Sequence, residues 1–259
     1  MIEISQHDIE IQENRAHWER KPVLQRVYRD FYQKIARWTL PGNGGGMLEL
    51  GSGMGNIKDV LPDCLTSDLF PNPWLDRVEN VYALNWPDAA VGNLILFDVF
   101  HHLQYPGRAL AEMARVVRPA GRVIIFEPGM GWLPRLIMRF FHHEPLGFGV
   151  PIEWNAPQDF DPATHSYYAA QGNSWRIFVQ HEGLVENIER DWRVIHVGRE
   201  PGWAWLLCGG LRGPQLYPDK LLPLVRLVER GLRLLPALFA GRLLVVLERK
   251  TTHVDDKLA

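Results

Sequence analysis

The chain has 259 residues, of which 46% are hydrophobic, so it is long enough to bury the core of one large domain. Its 28 basic and 30 acidic residues leave no cationic excess, which argues against a nucleic-acid partner. Two cysteines without zinc-binding spacing, no apolar signal segment and no apolar run near the roughly 20 residues of a membrane span predict a soluble, cytoplasmic protein.

The N-terminal part predicts a helix followed by the first strand of an α/β unit. Apolar residues recur at helical spacing between Pro22 and Trp38, and Pro22 suits a first helical position. The glycine-rich run 41–46 ends this helix, and Met47 to Leu50 predicts a short strand that leads into a second glycine-rich turn. We expect the N-terminal helical segment, residues 1–40, to lie over a ligand entrance at that turn.

Strand-like and helical stretches then alternate, which predicts a mostly parallel sheet with helices on both faces. Predicted strands are Cys64–Thr66, Val78–Leu84, Asn93–Phe97 and Arg122–Phe126, and the clearest helix is Pro106–Val117. Pro62, Pro71 and Pro73 interrupt the stretches after the glycine turn and after the second strand, so we expect loops there in place of helices.

The C-terminal half is less regular, and we expect most of it to form a cap. Its predicted elements are a helix from Leu133 to about His143, a polar loop through Thr164, a helix from Ser174 to His181, strands Trp192–Val197 and Arg242–Glu248, and a leucine-rich helix from about Asp219. We therefore predict a single domain, with a core at 41–128, a cap at 129–218 and a final helix and strand at 219–259.

The segment Glu49-Leu-Gly-Ser-Gly-Met-Gly55 follows a predicted strand directly. Glycines let the backbone approach a ligand closely, and amides at a helix start favour a carboxylate or phosphate. Nucleotide-binding dehydrogenases place G-x-G-x-x-G at the same point, whereas here the third glycine comes one residue earlier. Asp68 ends the next strand, where a carboxylate can accept both hydroxyl protons of a ribose.

Two further segments separate the cofactor classes: residues 93–103, which contain Phe-Asp-Val-Phe-His-His-Leu, and residues 109–128, which contain Arg-Val-Val-Arg-Pro-Ala-Gly and end in Glu-Pro. Together with the glycine turn, they resemble the class I S-adenosylmethionine-dependent methyltransferases, in particular the group that acts on small molecules. The resemblance extends from Met47 to Pro128. It implies a doubly wound, Rossmann-like α/β sheet with an antiparallel last strand and a helical cap insertion.

The resemblance also implies S-adenosyl-L-methionine as cofactor and S-adenosyl-L-homocysteine as product. The glycines would pass under the methionine part, Asp68 would hold the ribose, Phe97 and Asp98 would flank the cofactor, and Glu49 would support the turn. The implied cofactor-binding residues are Glu49, Gly51, Ser52, Gly53, Gly55, Asp68, Leu69, Ala83, Leu84, Phe97 and Asp98. One departure concerns adenine, because the acid that the family places after the third strand is replaced by Asn80 or by Tyr82.

Candidate catalytic residues are His101, His102 and Glu127. One histidine could reach over the cofactor methyl group while the other packs or binds backbone, and Glu127 could equally orient the loop that follows it. His142, His143 and His165 lie in the predicted cap and are further candidates. The sequence indicates no metal ligands.

The expected acceptor is a small molecule, with oxygen or carbon favoured over a planar amine because the Asn-Pro-Pro-Tyr-like segment of amine methylases is missing after the fourth strand. Trp203 and Trp205 could wall an apolar pocket or pack in the core. The amphipathic stretches 133–143 and 221–235 could touch a membrane surface or pack as a cap helix and a core helix. The alternatives are a non-catalytic protein that binds the cofactor or a partner, and an NAD(P)-dependent oxidoreductase.

Overall fold

The computed structural model describes residues 4–41, 45–164 and 167–251. Its helices are α1 (Ile4–Arg20), α2 (Pro22–Ala36), α3 (Pro106–Val116), α4 (Trp132–Phe141), α5 (Asn173–Phe178), α6 (Leu184–Asn187), α7 (Trp203–Leu207), α8 (Leu222–Leu232) and α9 (Pro236–Phe239). Its strands are β1 (Gly46–Leu50), β2 (Cys64–Asp68), β3 (Arg77–Val78), β4 (Val91–Phe97), β5 (Val117–Pro128), β6 (Trp192–Glu200) and β7 (Arg242–Arg249).

The strands form one sheet of seven in the order β3-β2-β1-β4-β5-β7-β6. The first five strands pair in parallel, whereas β7 runs antiparallel to both β5 and β6. This arrangement confirms the predicted α/β sheet with an antiparallel last strand. Because β1 and β4 are neighbours while β2 lies on the outer side of β1, the chain direction across the sheet reverses between them, and open sheets bind ligands at such a point.

Both faces of the sheet are covered, as the alternation of side chains requires. All seven residues of β4 are buried. Leu94 and Leu96 pack on the side of α3 and α5, whereas Ile95 and Phe97 pack on the side of α2 and α7. The uninterrupted apolar run of β4 therefore reflects burial on two faces.

The third strand is much shorter than the predicted Val78–Leu84, since β3 contains only Arg77 and Val78. The side chain of Asn80 accepts a hydrogen bond from the Tyr82 amide at 3.0 Å, and an isolated bridge joins Asn80 to Ala83. This asparagine turn folds the chain back on itself, as asparagine side chains commonly do, and so ends the strand.

Several other boundaries differ from the sequence prediction. The predicted N-terminal helical segment contains a helix in its polar stretch, α1, besides the helix predicted from Pro22, and a strand predicted from Arg122 already begins at Val117. The helix predicted from Ser174 to His181 ends at Phe178. These differences arise where polar composition or a local turn gives no clear period.

The predicted loss of two helices is largely confirmed. The glycine turn is followed only by a single 3-10 turn, Asn56–Asp59, and no helix occurs between Asp68 and Arg77. Among the described residues, no helix is long and apolar enough to cross a membrane.

A cluster of aromatic rings joins α2 to the sheet and encloses one arginine. Phe31 lies 5.0 Å from Phe126 and 6.1 Å from Phe97, measured between ring centroids. The guanidinium of Arg242, which is 1% exposed, lies over these three rings and forms an ion pair with Asp98. This pair anchors the end of β4 to the start of β7 inside a low-dielectric cluster, where an unpaired charge is costly.

We expect Arg242→Met to lower the free energy of unfolding by about 2 to 3 kcal/mol, because it leaves the Asp98 carboxylate without its cation. The double variant Arg242→Met/Asp98→Asn should recover at least half of this loss, since it removes both charges. Urea denaturation of the three proteins measures the difference. Equal destabilisation in the single and double variants would contradict a role for the charge pair.

Candidate functional site

The glycine turn after β1 has the strained backbone that the spacing predicts. Gly51, Gly53 and Gly55 all have positive φ, at 68°, 51° and 73°. A Cβ atom on Gly51 would overlap a methyl group of Val99, whereas a Cβ on Gly53 would meet no atom within 4 Å. The turn is therefore packed on one side and faces open space at Gly53.

Asp68 ties this turn to the end of β2. One carboxylate oxygen accepts a hydrogen bond from the Gly53 amide at 2.9 Å, and the other accepts one from the Leu69 amide at 2.7 Å. The Ser52 amide donates to the Ser67 carbonyl at 2.8 Å, which completes the connection. Each carboxylate oxygen can accept more than one bond, so Asp68 retains capacity for hydroxyl donors.

Glu49 lies beneath the turn with both carboxylate oxygens buried and without a hydrogen-bond partner among the described residues. Burial raises the pKa of Glu49 to about 7. The neighbouring Ser52 and Tyr32 side chains favour the charged form but offset only part of the cost of burial, which is unusual for a buried carboxylate. Its position fits a bound group that carries positive charge.

The region expected to hold adenine is already hydrogen-bonded within the protein. Tyr82 is buried, and its hydroxyl accepts a bond from the Tyr105 amide at 3.2 Å, while the Asn80 amide group donates to the Pro162 carbonyl at 3.0 Å. The Leu84 amide donates to Glu112 at 2.9 Å, and the Ala83 amide donates to the Asn80 carbonyl at 3.0 Å.

Glu79, an acid not singled out from the sequence, lies at the end of β3, but its two oxygens accept bonds from Asn85 and Trp86.

Phe97 and Asp98 occupy different environments although they are neighbours. Phe97 is buried in the aromatic cluster, with its ring centroid 5.3 Å from that of Tyr28. Asp98 has a positive φ of 55°, which is rare for a residue with a side chain and occurs at strained functional positions. This conformation directs the Asp98 carboxylate into a cleft and towards Arg242.

Helix α1 lies beside the glycine turn. Its residues Arg15 and Trp18 and the loop residues Met54 and Trp74 line a depression of about 290 Å³. The Trp74 indole donates to the Gly53 carbonyl at 2.9 Å, and the Arg15 guanidinium lies 5.0 Å above the Trp74 ring. Within the described residues, α1 therefore borders the opening above the turn.

A second cleft of about 320 Å³ begins at the end of β4 and reaches α4 and α7. Its lining includes Asn14, Tyr28, Asp98, His101, His102, Met138, His142, His143, Glu144, Gln171, Trp205 and Arg242. The predicted catalytic histidines and one of the two candidate tryptophans thus meet at one cleft. His165 lies outside the described residues.

His101 and Glu127 form the buried part of this cleft wall. Nδ1 of His101 donates to Glu127 at 2.7 Å, and Glu127 also accepts bonds from the amides of Val99 and Phe100, each at 2.8 Å. Burial lowers the pKa of His101, but the carboxylates of Glu127 and Glu144 outweigh it and raise the pKa to about 10. Glu127 has so many donors that its geometry favours positioning over proton transfer.

His102 is half-buried, and its charge at neutral pH differs from that of His101. Its Nδ1 donates to the Tyr168 carbonyl at 2.9 Å, so Nε2 faces the cleft unprotonated in the neutral ring. Burial and the positive charge on His101 lower the pKa of His102 to about 4. His102 is therefore a neutral side chain with a lone pair at neutral pH.

Sequence reasoning missed Glu144, Gln171 and Arg242. Glu144 lies 3.7 Å from His101 Nε2 and 3.9 Å from His102 Nε2, and Gln171 Nε2 lies 3.1 Å from His101 Nε2. Glu144 follows His142 and His143 directly, so the run of three polar residues after an amphipathic helix was an available signal. Arg242 lies on the same face of its strand as the buried Leu244 and Val246, and this alternation was a second available signal.

One segment of the chain matches a known protein family. Residues 48–125 match the Methyltransferase domain family. No curated protein matches the chain.

Two solved structures cover nearly the whole chain. One is a chain of the complex between the Haloferax volcanii Trm112 methyltransferase activator and a proposed methyltransferase, with 14% identity, a TM-score of 0.52, and coverage of 96% of this chain and 98% of that chain. The other is an S-adenosylmethionine-dependent methyltransferase from Thermotoga maritima, described as a candidate histamine N-methyltransferase, with 15% identity, a TM-score of 0.50, and coverage of 93% and 99%.

At these identities the two structures bear on the fold alone. The family match at residues 48–125 includes the glycine turn and the strands β2, β3 and β4. The chain therefore contains a methyltransferase-family segment at residues 48–125 and has the fold of the class I S-adenosylmethionine-dependent methyltransferases.

Proposed function

We propose that the protein transfers a methyl group from S-adenosylmethionine to a small-molecule acceptor, at oxygen or carbon. The observation that carries this proposal is the glycine turn that faces open space at Gly53, flanked by the Asp68 carboxylate and the unpartnered Glu49 carboxylate. We further propose one methyltransferase domain in which residues 129–218, apart from the sheet strand β6, form the acceptor cap. A cytoplasmic location remains a prediction.

These residues fit the cofactor in charge as well as in shape. Gly51, Ser52, Gly53 and Gly55 would pass under the methionine part, and Glu49 beneath them would balance its positive charge. Asp68 and Leu69 would hold the ribose hydroxyls, with Ala83 and Leu84 beside the adenine. S-adenosylmethionine supplies an electrophilic methyl group and leaves as S-adenosylhomocysteine.

The residues that line the cleft at the end of β4 would bind and orient the acceptor. Methyl transfer is an in-line displacement, so positioning and exclusion of water supply most of the rate. Asp98 and His102 line the cleft from the carboxyl end of β4, while Met138 and Trp205 supply apolar wall. His101 and Glu127 hold this wall in place through their mutual hydrogen bond.

The outer surface next to the cleft favours a hydrophobic acceptor delivered from a membrane. Along α8 and α9 the exposed apolar residues recur at helical spacing and face solvent: Leu224, Leu227, Val228, Leu234, Leu235 and Leu238. Helix α4, which contacts α9, exposes Trp132, Leu136, Phe140 and Phe141. Phe141 is 85% exposed and Leu234 is 82% exposed, so both stripes are apolar surface that the described residues leave uncovered.

The charges around this apolar face match an anionic lipid surface. Arg139 and Arg230 are exposed, α4 contains no acidic residue, and the one acid of α8 and α9, Glu229, turns inward to accept a bond from the Ala204 amide. Apolar side chains with a basic rim are typical of helices that lie in a membrane interface. Because Met138 of α4 also lines the cleft, an acceptor at this surface would enter directly.

Asp68→Ala should weaken the binding of S-adenosylmethionine and S-adenosylhomocysteine about 10- to 100-fold, because two ribose hydroxyls lose a charged acceptor. Isothermal titration measures both ligands and NADH. The exposed Asp63→Ala is the matched control and should bind like the wild type. Binding of NADH alone would refute the methyltransferase proposal, and binding without turnover on any acceptor would favour the non-catalytic alternative.

Glu49→Gln should stabilise the cofactor-free protein at pH 8 and weaken cofactor binding. In the unfolded chain Glu49 titrates near its usual pKa of about 4.3, whereas burial raises its pKa to about 7 in the folded protein. Stability from this group is therefore present below the unfolded pKa and lost as the pH rises through the folded pKa, by a total of about 4 kcal/mol.

Denaturation at pH 4.5 and pH 8, with and without S-adenosylmethionine, tests the Glu49 prediction. The variant and the wild type should differ at pH 8 only, and the surface variant Glu186→Gln should change neither stability nor affinity. A loss of stability at pH 8 would show that Glu49 is a structural group.

Co-sedimentation with vesicles tests the membrane face. The protein should bind vesicles that contain phosphatidylglycerol more strongly than pure phosphatidylcholine, and Phe140→Ser/Leu234→Ser should lose about 10-fold or more in affinity. Val185→Ser, at an apolar residue that is 61% exposed elsewhere, should have no effect. Equal, weak binding by all three proteins would favour a protein partner on this face; the Haloferax structure is a complex of a methyltransferase with an activator protein.

A further inference from the structure

We propose that His101, His102 and Glu144 bind a divalent transition-metal ion in the wall of the cleft. One ligand atom from each of these residues lies within 4.8 Å of the other two. Glu144 oxygens lie 3.7 Å from Nε2 of His101 and 3.9 Å from Nε2 of His102. Ligand atoms about 3.4 Å apart surround a tetrahedral zinc ion, so side-chain shifts of about 1 Å would complete the site.

Both histidines are held in the orientation that metal binding requires. A metal-binding histidine usually donates its other ring N–H to a carboxylate or a backbone carbonyl, which fixes the ring and its tautomer. Nδ1 of His101 donates to Glu127 at 2.7 Å, and Nδ1 of His102 donates to the Tyr168 carbonyl at 2.9 Å. Two neighbouring histidines thus have different acceptors at Nδ1 and direct Nε2 towards the same carboxylate.

The third ligand is supported in the same way. The Tyr167 hydroxyl and the Gln171 amide both donate to the Glu144 carboxylate. Gln171 Oε1 is buried and has no hydrogen-bond partner among the described residues, although Nε2 of the same amide lies 3.1 Å from His101 Nε2. Water or an acceptor atom in the cleft would supply the remaining ligand.

The charge of the site also favours a cation. Glu127 is fully buried and the Glu144 side chain is 10% exposed, and the two carboxylates lie at opposite nitrogens of the His101 ring in a poorly solvated region. Two imidazoles and one carboxylate are typical ligands of Zn²⁺ and Fe²⁺, whereas Mg²⁺ and Ca²⁺ favour oxygen-only sites.

The ion would face the cleft that Asp98 also lines, on the side of His102, which is the more exposed of the two histidines. An acceptor with an oxygen atom next to the reacting position could then bind the metal directly, which would orient it and lower the pKa of a hydroxyl group. This role in orienting the acceptor rests on the proposed methyl transfer, whereas metal binding itself does not depend on that proposal.

The test uses full-length protein treated with a chelator and then titrated with Zn²⁺ by calorimetry and with Co²⁺ by visible absorption. We expect one equivalent of Zn²⁺ to bind with micromolar or stronger affinity, and Co²⁺ to give the absorption bands of a protein-bound ion. His102→Ala and Glu144→Gln should each weaken binding about 100-fold or more. His17→Ala, on helix α1, controls for adventitious binding to a surface histidine.

Affinity for S-adenosylmethionine and thermal unfolding, measured on the same samples, show whether each variant is folded and has an intact cofactor site. Millimolar binding by the wild type, or equal binding by the two site variants and the control, would overturn the metal site. If the wild type binds S-adenosylmethionine but no metal, the metal proposal alone fails. If it binds metal but not the cofactor, the proposed function alone fails.

Discussion

The buried carboxylate of Glu127 holds together the two strand ends on which the cleft is built. It lies at the end of β5, yet its hydrogen-bond donors are the amides of Val99 and Phe100 and the ring of His101, all just beyond β4. A buried carboxylate must find donors, so it fixes the course of the loop after β4. That loop in turn places Asp98 and both histidines at one wall.

The sheet, its direction and the glycine turn could be predicted because each depends on local sequence. A two-faced buried strand such as β4 needs an uninterrupted apolar run, and the positive φ angles at Gly51, Gly53 and Gly55 need glycine. The shortened helices after the turn followed from Pro62 and the prolines at 71 and 73. Here local preference and global fold agree, which is why single-sequence reasoning succeeded.

The composition of the cleft could not be predicted, because it depends on contacts between residues far apart in the chain. Glu144 and Gln171 meet His101 through a cap whose path no periodic pattern describes, and Arg242 meets Asp98 across 144 residues. The predicted length of the third strand was wrong for another reason, because the hydrogen bond of the Asn80 side chain outweighed the β propensity of its neighbours. The unpaired carboxylate of Glu49 is likewise a property of burial that no motif states.

Helix α1 borders both the depression above the glycine turn and the cleft at the end of β4. Asn14 lines the cleft, while the next residue, Arg15, and Trp18 line the depression above the glycine turn. One helix is therefore a wall of two separate spaces, so a ligand that fixes it on one side also reduces its freedom on the other. If binding in one space changes the freedom of α1, the effect is reciprocal, so each ligand changes the affinity for the other by the same factor.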